Sequence, residues 1–229
     1  MLIKTGDDIS PETNYKARQL HFAIQSLEAG GITEIVPAYN EVMIYYDPVV
    51  ISYKEVSSII HQASENLSAV SLPAASRIQI PVCYDEEYSP DLPCVASSVK
   101  LSADEVVQIH TGNDYLVYML GFAPGFPYLG GMDKRIACAR KETPRIRVPA
   151  GSVGIAGEQT GIYSLDSPGG WQIIGWTPVP LFTITEKDPF LLRQGDKIRF
   201  FAVGKEEALA IQEEVGNGKY MPKKQIIKQ

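Results

Sequence analysis

The sequence predicts a small α+β domain followed by a larger, mainly-β domain that closes into a barrel. In the first 76 residues, strand and helix patterns follow one another in the order β-α-β-β-α. Between residues 121 and 180, glycine and proline recur every few residues, with Phe, Tyr, Trp, Ile and Val between them. A disordered linker would lack those apolar residues. Many short strands with regular turns favour a closed or nearly closed barrel.

The N-terminal domain begins with a short strand over residues 2–5, and a helix follows. Ser10 and Pro11 are typical of an N-cap and a first helical position, and Gly30 and Gly31 are expected to end the helix. Its apolar residues recur at helical spacing and share one face: Ala17, Leu20, Ile24 and Leu27. We expect this face to pack on the sheet, as in other α+β domains.

The rest of this domain reads as a hairpin and a second helix. Residues 32–39 and 42–46 fit two strands joined by a tight turn. Ser52 and Glu55 form a capping box that opens a helix to about residue 66, and a further strand is expected near residues 67–72. Small residues at 72–76 mark a boundary, so the domain is predicted to span residues 1–76.

The second domain is predicted over residues 77–215, ahead of a flexible polar tail at 216–229. A capping box at Ser102 and Glu105 opens a helix that ends near residues 111–112, and a last helix covers residues 206–215. A short helix follows the turn at residues 88–93. Predicted strands cover residues 77–84, 115–120, 146–148, 153–156, 161–164, 171–176, 181–185 and 197–201.

The bulk composition argues against several classes of partner. The 229 residues carry a formal net charge of −6, which is unfavourable for broad binding to nucleic acid or an anionic membrane. No apolar run approaches the roughly 20 residues of a membrane span. Cys83, Cys94 and Cys138 are odd in number and lack a CxxC spacing. We therefore expect reduced thiols in a cytoplasmic protein, without a disulfide framework or a bound metal.

The segment around Ser152 offers two interpretations. Its glycines, Gly151, Gly154 and Gly157, either present backbone N–H groups to an oxyanion or phosphate, or simply form barrel turns. Ser152 lies in AGSVG, which does not match the strand–nucleophile–helix pattern of a serine hydrolase, so we expect it to donate a hydrogen bond. Neither GxxxxGK[ST] nor GxGxxG occurs, so a bound nucleotide would need another mode.

Several other residues are candidates for binding a substrate. His110 lies at the end of a predicted helix. Either the helix dipole favours a histidine at this position, or the side chain lines a pocket. Arg140, Arg145 and Arg147 form a basic cluster, and Arg145 is our candidate for an acidic substrate, with ion pairing to surface acids as the alternative. Three further residues are expected to line the same pocket: Gln159, Thr160 and Trp171.

Three aromatic residues, Phe122, Phe126 and Tyr128, are candidates for docking a partner, although such residues also serve as core anchors. The sequence shows no metal-ligand triplet and no coherent pair of nucleophile and base. By itself, the chain therefore looks like a binding or accessory module rather than a complete enzyme.

Three long blocks carry a resemblance to a known family. GFAPGFPYLGG at residues 121–131, PRIRVPAGSVGIAGEQTGIY at 144–163 and SPGGWQIIGWTP at 167–178 closely resemble the KipI/PxpB family, also called allophanate hydrolase subunit 1. The resemblance extends over nearly the whole chain. It implies an α/β N-terminal domain and a cyclophilin-like β-barrel, and it leads us to expect further residues before residue 1. It also favours His110 and the 148–163 segment as parts of a site.

The same resemblance implies a function. Members of the family serve as the PxpB component of a bacterial ATP-dependent 5-oxoprolinase, which converts 5-oxo-L-proline to L-glutamate together with PxpA-like and PxpC-like subunits. The isolated chain would then be inactive, with ATP as a co-substrate of the complex. The alternative is a KipI-like inhibitor of the autophosphorylation of a sporulation histidine kinase. Trp176, Thr183 and Ser164 stand where the family usually has arginine, aspartate and proline.

Overall fold

The computed structural model describes residues 1–227, and the chain divides into two compact units. The first unit covers Met1–Ala74 and the second begins at Ala75. The boundary between the predicted domains, at residues 76 and 77, stays a prediction.

In the first unit, two helices accompany a three-stranded antiparallel sheet. The sheet contains β1 (Leu2–Lys4), β2 (Ile32–Pro37) and β3 (Glu41–Tyr46) in the order β1-β3-β2. The helices are α1 (Pro11–Ser26) and α2 (Tyr53–Ser64). The hydroxyls of Ser10 and Ser52 cap these helices by accepting backbone N–H bonds. The buried residues of this unit include Ala17, Leu20, Ile24, Val42, Ile44, Val56 and Ile60.

Two local expectations for this unit are wrong. The strand expected near residues 67–72 is instead a 3-10 turn over Leu67–Ala69, where the side-chain amide of Gln19 donates to the Leu67 carbonyl at 2.7 Å. Helix α1 ends at Ser26, before the glycine pair, and Leu27 is its C-cap. Leu27 is therefore 38% exposed rather than part of the apolar face.

The second unit contains short strands and three helices. The helices are α3 (Leu92–Val99), α4 (Ala103–Gly112) and α5 (Lys205–Gly216). The strands are β4 (Ala75–Cys83), β5 (Asp114–Leu120), β6 (Pro127–Gly130), β7 (Arg145–Val148), β8 (Ser152–Ala156), β9 (Gln159–Ile162), β10 (Ser167–Gly169), β11 (Gln172–Trp176), β12 (Lys197–Val203) and β13 (Lys224–Ile227).

Seven of these strands form a closed barrel, which confirms the barrel prediction. The order around the barrel is β4-β12-β5-β6-β9-β8-β11, and the pairing of Trp176 with Cys83 joins β11 back to β4. Strands β4 and β12 run parallel, and the other neighbours are antiparallel. Apolar side chains fill the interior, as in small barrels generally, among them Ile78, Ile80, Tyr115, Leu129, Ile155 and Phe200. Strands β7 and β10 pair separately.

The C-terminal segment and one predicted strand differ from expectation. Residues 224–227, within the predicted flexible tail, pair antiparallel with the first half of β4. This half of β4 has an open edge because β11 meets β4 only at Cys83, and an open edge offers unpaired backbone groups to another strand. No strand forms over residues 181–185, where the chain makes only an isolated bridge between Phe182 and Phe190.

Strands β6 and β10 are not predicted from the sequence, because each is short and contains proline. None of the helices among residues 1–227 has the length and apolar character required to cross a membrane.

Candidate functional site

The second unit contains a small cavity of about 140 Å³ with mostly aromatic walls, which we call the aromatic pocket. The loop before β6, strands β6 and β10, and the residue preceding β11 all contribute to it. Its lining residues are Phe122, Phe126, Tyr128, Arg140, Tyr163, Pro168, Gly169, Gly170 and Trp171. Four residues selected from the sequence therefore meet in one cavity: Phe122, Phe126, Tyr128 and Trp171.

Phe126 lies at the centre of the aromatic pocket and is almost fully buried. Its ring packs edge-on against four others, with centroid separations of 5.5 Å to Phe122, 5.1 Å to Tyr128, 5.5 Å to Tyr163 and 5.6 Å to Trp171. Such edge-to-face contacts are favourable because the positive ring edge meets the negative ring face. The walls are consequently held by mutual packing, which leaves the cavity preformed.

Phe122 lies at the rim, and its backbone is strained. Its φ of 68° falls in the left-handed region that non-glycine residues rarely adopt. The side chain is nevertheless 65% exposed. An exposed aromatic residue with strained backbone is a candidate for contact with a ligand or partner.

One wall of the aromatic pocket depends on glycine. A Cβ atom at Gly169 would lie 2.1 Å from the hydroxyl oxygen of Tyr163. Only glycine therefore allows the strand β10 backbone to approach this ring so closely. Burial raises the pKa of Tyr163, although the neighbouring Trp171 backbone favours the charged form.

Arg140 supplies the positive charge of the aromatic pocket. Its guanidinium carbon lies 5.9 Å from the centroid of the Trp171 ring, within cation–π distance. Within residues 1–227, no carboxylate forms an ion pair with Arg140. The side chain is exposed at the mouth, so its hydrogen-bond donors are available to an anion.

The other two arginines of the basic cluster are occupied by carboxylates. Arg145 donates to Asp91 at 2.7 Å, and Lys141 reaches the same oxygen at 3.1 Å. Arg147 donates to Asp166 at 2.9 and 2.6 Å on the surface. The structure thus gives Arg145 an ion pair with the buried Asp91, and its predicted role in holding a substrate stays a prediction.

Asp91 connects this ion pair to the barrel. Its second carboxylate oxygen accepts the backbone N–H of Ile173 at 2.6 Å. Burial disfavours the charged form of Asp91, but the bonds from Arg145, Ile173 and Lys141 outweigh that cost and lower its pKa. Asp91 therefore holds the segment that carries Arg145 against strand β11.

His110 belongs to a buried hydrogen-bond chain rather than to the wall of the aromatic pocket. Its Nε2 lies 2.9 Å from the Thr160 hydroxyl, which donates to the Gly154 carbonyl at 3.0 Å. Because the Thr160 proton points to Gly154, His110 must donate from Nε2 and accept at Nδ1 from the Tyr84 hydroxyl, 2.7 Å away. Desolvation lowers the pKa of His110 to about 3. The imidazole is accordingly neutral and ties helix α4 to the barrel.

Ser152 and Gln159 lie elsewhere in the barrel wall. Ser152 begins β8, is buried, and faces Trp176 across the sheet register. Gln159 begins β9 and is partly exposed. Neither residue lines the aromatic pocket.

A second cavity, of about 200 Å³, shares Tyr163 with the aromatic pocket. Gly151 lines it with a φ of 83°, and a Cβ atom there would lie 2.3 Å from the Thr177 carbonyl oxygen. Trp176 also lines it and donates from its indole Nε1 to the Ala150 carbonyl at 3.1 Å. This hydrogen bond holds the turn at residues 150–151 in place.

The sequence carries only part of the signal for the aromatic pocket. Tyr163, Gly169 and Gly170 are not among the predicted site residues, although the SPGG motif indicates a close backbone approach. In the sequence, Arg140 stands out only as a member of the basic cluster. Among the described residues, no group of three or more His, Cys, Asp or Glu side chains is arranged to hold a metal ion.

Comparison with known proteins identifies similar chains. The model of the family described as "Carboxyltransferase domain, subdomain C and D" matches residues 1–192. The chain is 42% identical over 225 residues to the B subunit of 5-oxoprolinase from Bacillus subtilis, covering 93% of each protein. It is 40% identical over 195 residues to the B subunit of 5-oxoprolinase from Haemophilus influenzae, covering 85% of this chain and 91% of that one.

A solved structure is also similar. TTHA0988 superposes with a TM-score of 0.77 at 38% sequence identity, over 89% of this chain. This chain spans 39% of the length of TTHA0988, so that protein contains more than the part compared.

Proposed function

The chain belongs to the KipI/PxpB family, and we propose from this membership that it is the PxpB component of an ATP-dependent 5-oxoprolinase complex. The observation that carries the proposal is the likeness to the Bacillus subtilis protein, which covers nearly all of both chains. A match of that extent relates whole proteins, whereas a shared fold alone would not imply a shared function.

The proposed reaction opens the ring of 5-oxo-L-proline to give L-glutamate. An amide is a poor electrophile, so ATP first phosphorylates the lactam oxygen, and water then cleaves the ring C–N bond. Overall, one water is consumed for the amide and one for ATP, and ADP and phosphate leave. Negative charge develops on oxygen atoms along this path, and oriented N–H groups and arginine stabilise such charge.

We assign this chain a binding role within a site shared with PxpA-like and PxpC-like subunits. The aromatic pocket supports this role because it is preformed and opens to the surface beside Phe122 and Arg140. Because the buried His110 is hydrogen-bonded to Tyr84 and Thr160, we assign proton transfer to groups of the other subunits. The three cysteines are free, which suits the reducing cytoplasm where ATP is available.

The test is ATP-dependent release of glutamate from 5-oxoproline by the reconstituted subunits. We expect activity with all three subunits, and loss of activity when this chain or ATP is omitted. Undiminished activity without this chain would refute the proposal. A histidine-kinase autophosphorylation assay with added chain would then test the KipI-like alternative.

A further inference from the structure

We propose that the aromatic pocket binds the cyclic amide itself, and that Arg140 pairs with the carboxylate of this substrate. The inference rests on the proposed function and deepens it, because it assigns substrate recognition to named residues of this chain. The ligand class is a single small ring that carries one carboxylate.

The size of the aromatic pocket restricts the ligand. Its volume is about 140 Å³. Pockets for drug-sized ligands span roughly 300–1,000 Å³. The aromatic pocket therefore has room for one small ring but not for a nucleotide.

The walls of the pocket match a flat, partly apolar ring. The rings of Phe126, Tyr128, Tyr163 and Trp171 line the cavity. A lactam ring has apolar CH₂ groups that gain by leaving water and a planar amide that packs on aromatic faces. Because the rings already hold one another, binding costs little side-chain entropy.

The charge at the mouth selects the ionic group of the ligand. Arg140 lies over Trp171, and no carboxylate of residues 1–227 neutralises it. A guanidinium fork can donate two parallel hydrogen bonds to a carboxylate. Lys141 and Arg145 are less suited to bind the substrate carboxylate, because both already form ion pairs with Asp91.

The decisive variant is Arg140→Gln in the reconstituted complex, with Arg147→Gln as the matched control. Arg147 is exposed and pairs with Asp166, and it does not line the aromatic pocket. Loss of a charge-assisted pair predicts a KM for 5-oxoproline that is about 10- to 100-fold higher in Arg140→Gln. The KM for ATP should stay unchanged, and the control should stay within about twofold of wild type.

A substrate without the carboxylate isolates the proposed contact. For 2-pyrrolidinone, which has the same ring and no carboxylate, wild type and Arg140→Gln should have the same kcat/KM. An equal loss on both substrates would overturn the inference, because it would show a structural effect. An unchanged KM for 5-oxoproline in Arg140→Gln would overturn it as well.

Direct binding separates this inference from the proposed function. The Trp176→Phe variant leaves Trp171 as the only tryptophan of this chain, so 5-fluorotryptophan incorporated into this chain before assembly gives a ¹⁹F resonance that reports on the aromatic pocket. Addition of 5-oxoproline to the assembled subunits should shift this ¹⁹F resonance saturably, and Arg140→Gln should move the midpoint to an about 10- to 100-fold higher concentration. Binding without turnover would support the pocket while refuting the proposed reaction. Turnover without any saturable change would overturn the pocket and keep the reaction.

Discussion

The buried imidazole of His110 should make the stability of the second unit depend on pH near neutrality. His110 is fully buried, stacks on Phe200 with centroids 4.6 Å apart, and is hydrogen-bonded on both nitrogens. A proton on Nδ1 would turn an acceptor into a second donor facing the Tyr84 hydroxyl and would place a charge in an apolar core. The folded protein therefore resists protonation at this residue.

The expected magnitude follows from the pKa values of the two states. In the folded chain the pKa of His110 is about 3, whereas an unfolded histidine titrates near about 6.5. Between these values the unfolded state binds more protons, so the free energy of unfolding falls as pH falls. From about pH 7 to about pH 5 the loss is about 2 kcal/mol, and below about pH 6 it approaches 1.4 kcal/mol per pH unit.

The measurement is urea unfolding at a series of pH values, for wild type and His110→Gln. Glutamine keeps an N–H donor for Thr160 but does not titrate in this range. Both tryptophans lie in the second unit, so their fluorescence reports on this unit and not on the first one, which contains His21 and His61. His110→Gln should be less stable at neutral pH, yet lose about 2 kcal/mol less than wild type on acidification.

Two results would refute this reasoning. Wild type and His110→Gln would lose the same free energy between about pH 7 and pH 5 if the folded state could accept the proton. Likewise, an NMR titration that shows a protonated His110 imidazole in the folded protein at about pH 5 would contradict the burial argument.

Two further substitutions test the contacts that position the walls of the aromatic pocket and the segment beside it. Asp91→Asn should lower the free energy of unfolding by about 2 kcal/mol, because it leaves the partly buried Lys141 and Arg145 without their buried carboxylate. Asp166→Asn on the surface should cost less than about 1 kcal/mol, and equal losses in urea unfolding would contradict this. Gly169→Ala should cost about 1–3 kcal/mol, since its Cβ would meet the Tyr163 hydroxyl. Gly170→Ala, with its nearest neighbour at 3.6 Å, is the control, and equal thermal midpoints of the two variants would refute the steric argument.

Local signals in the sequence predicted most elements of the fold. The capping boxes at Ser52 and Ser102 form as expected, because they involve residues three positions apart and need no other part of the chain. Alternation predicted strand β4 for the same reason. The three blocks rich in glycine and proline also identified the family, and they predicted the barrel that the structure contains.

The features that the sequence did not predict depend on contacts between residues that are distant in the sequence. Arg140 and Arg145 look alike in the sequence. Asp91, more than forty residues away, forms an ion pair with Arg145, whereas Arg140 lies over the Trp171 ring without a carboxylate partner among residues 1–227. Strand β13 forms because β4 has an open edge, which depends on where β11 meets it. His110 is neutral because Tyr84, Thr160 and Phe200 surround it. Residue types and local periodicity were thus readable from the sequence, whereas the pairing of charges, strand edges and buried polar groups required the tertiary structure, because each depends on contacts between distant segments.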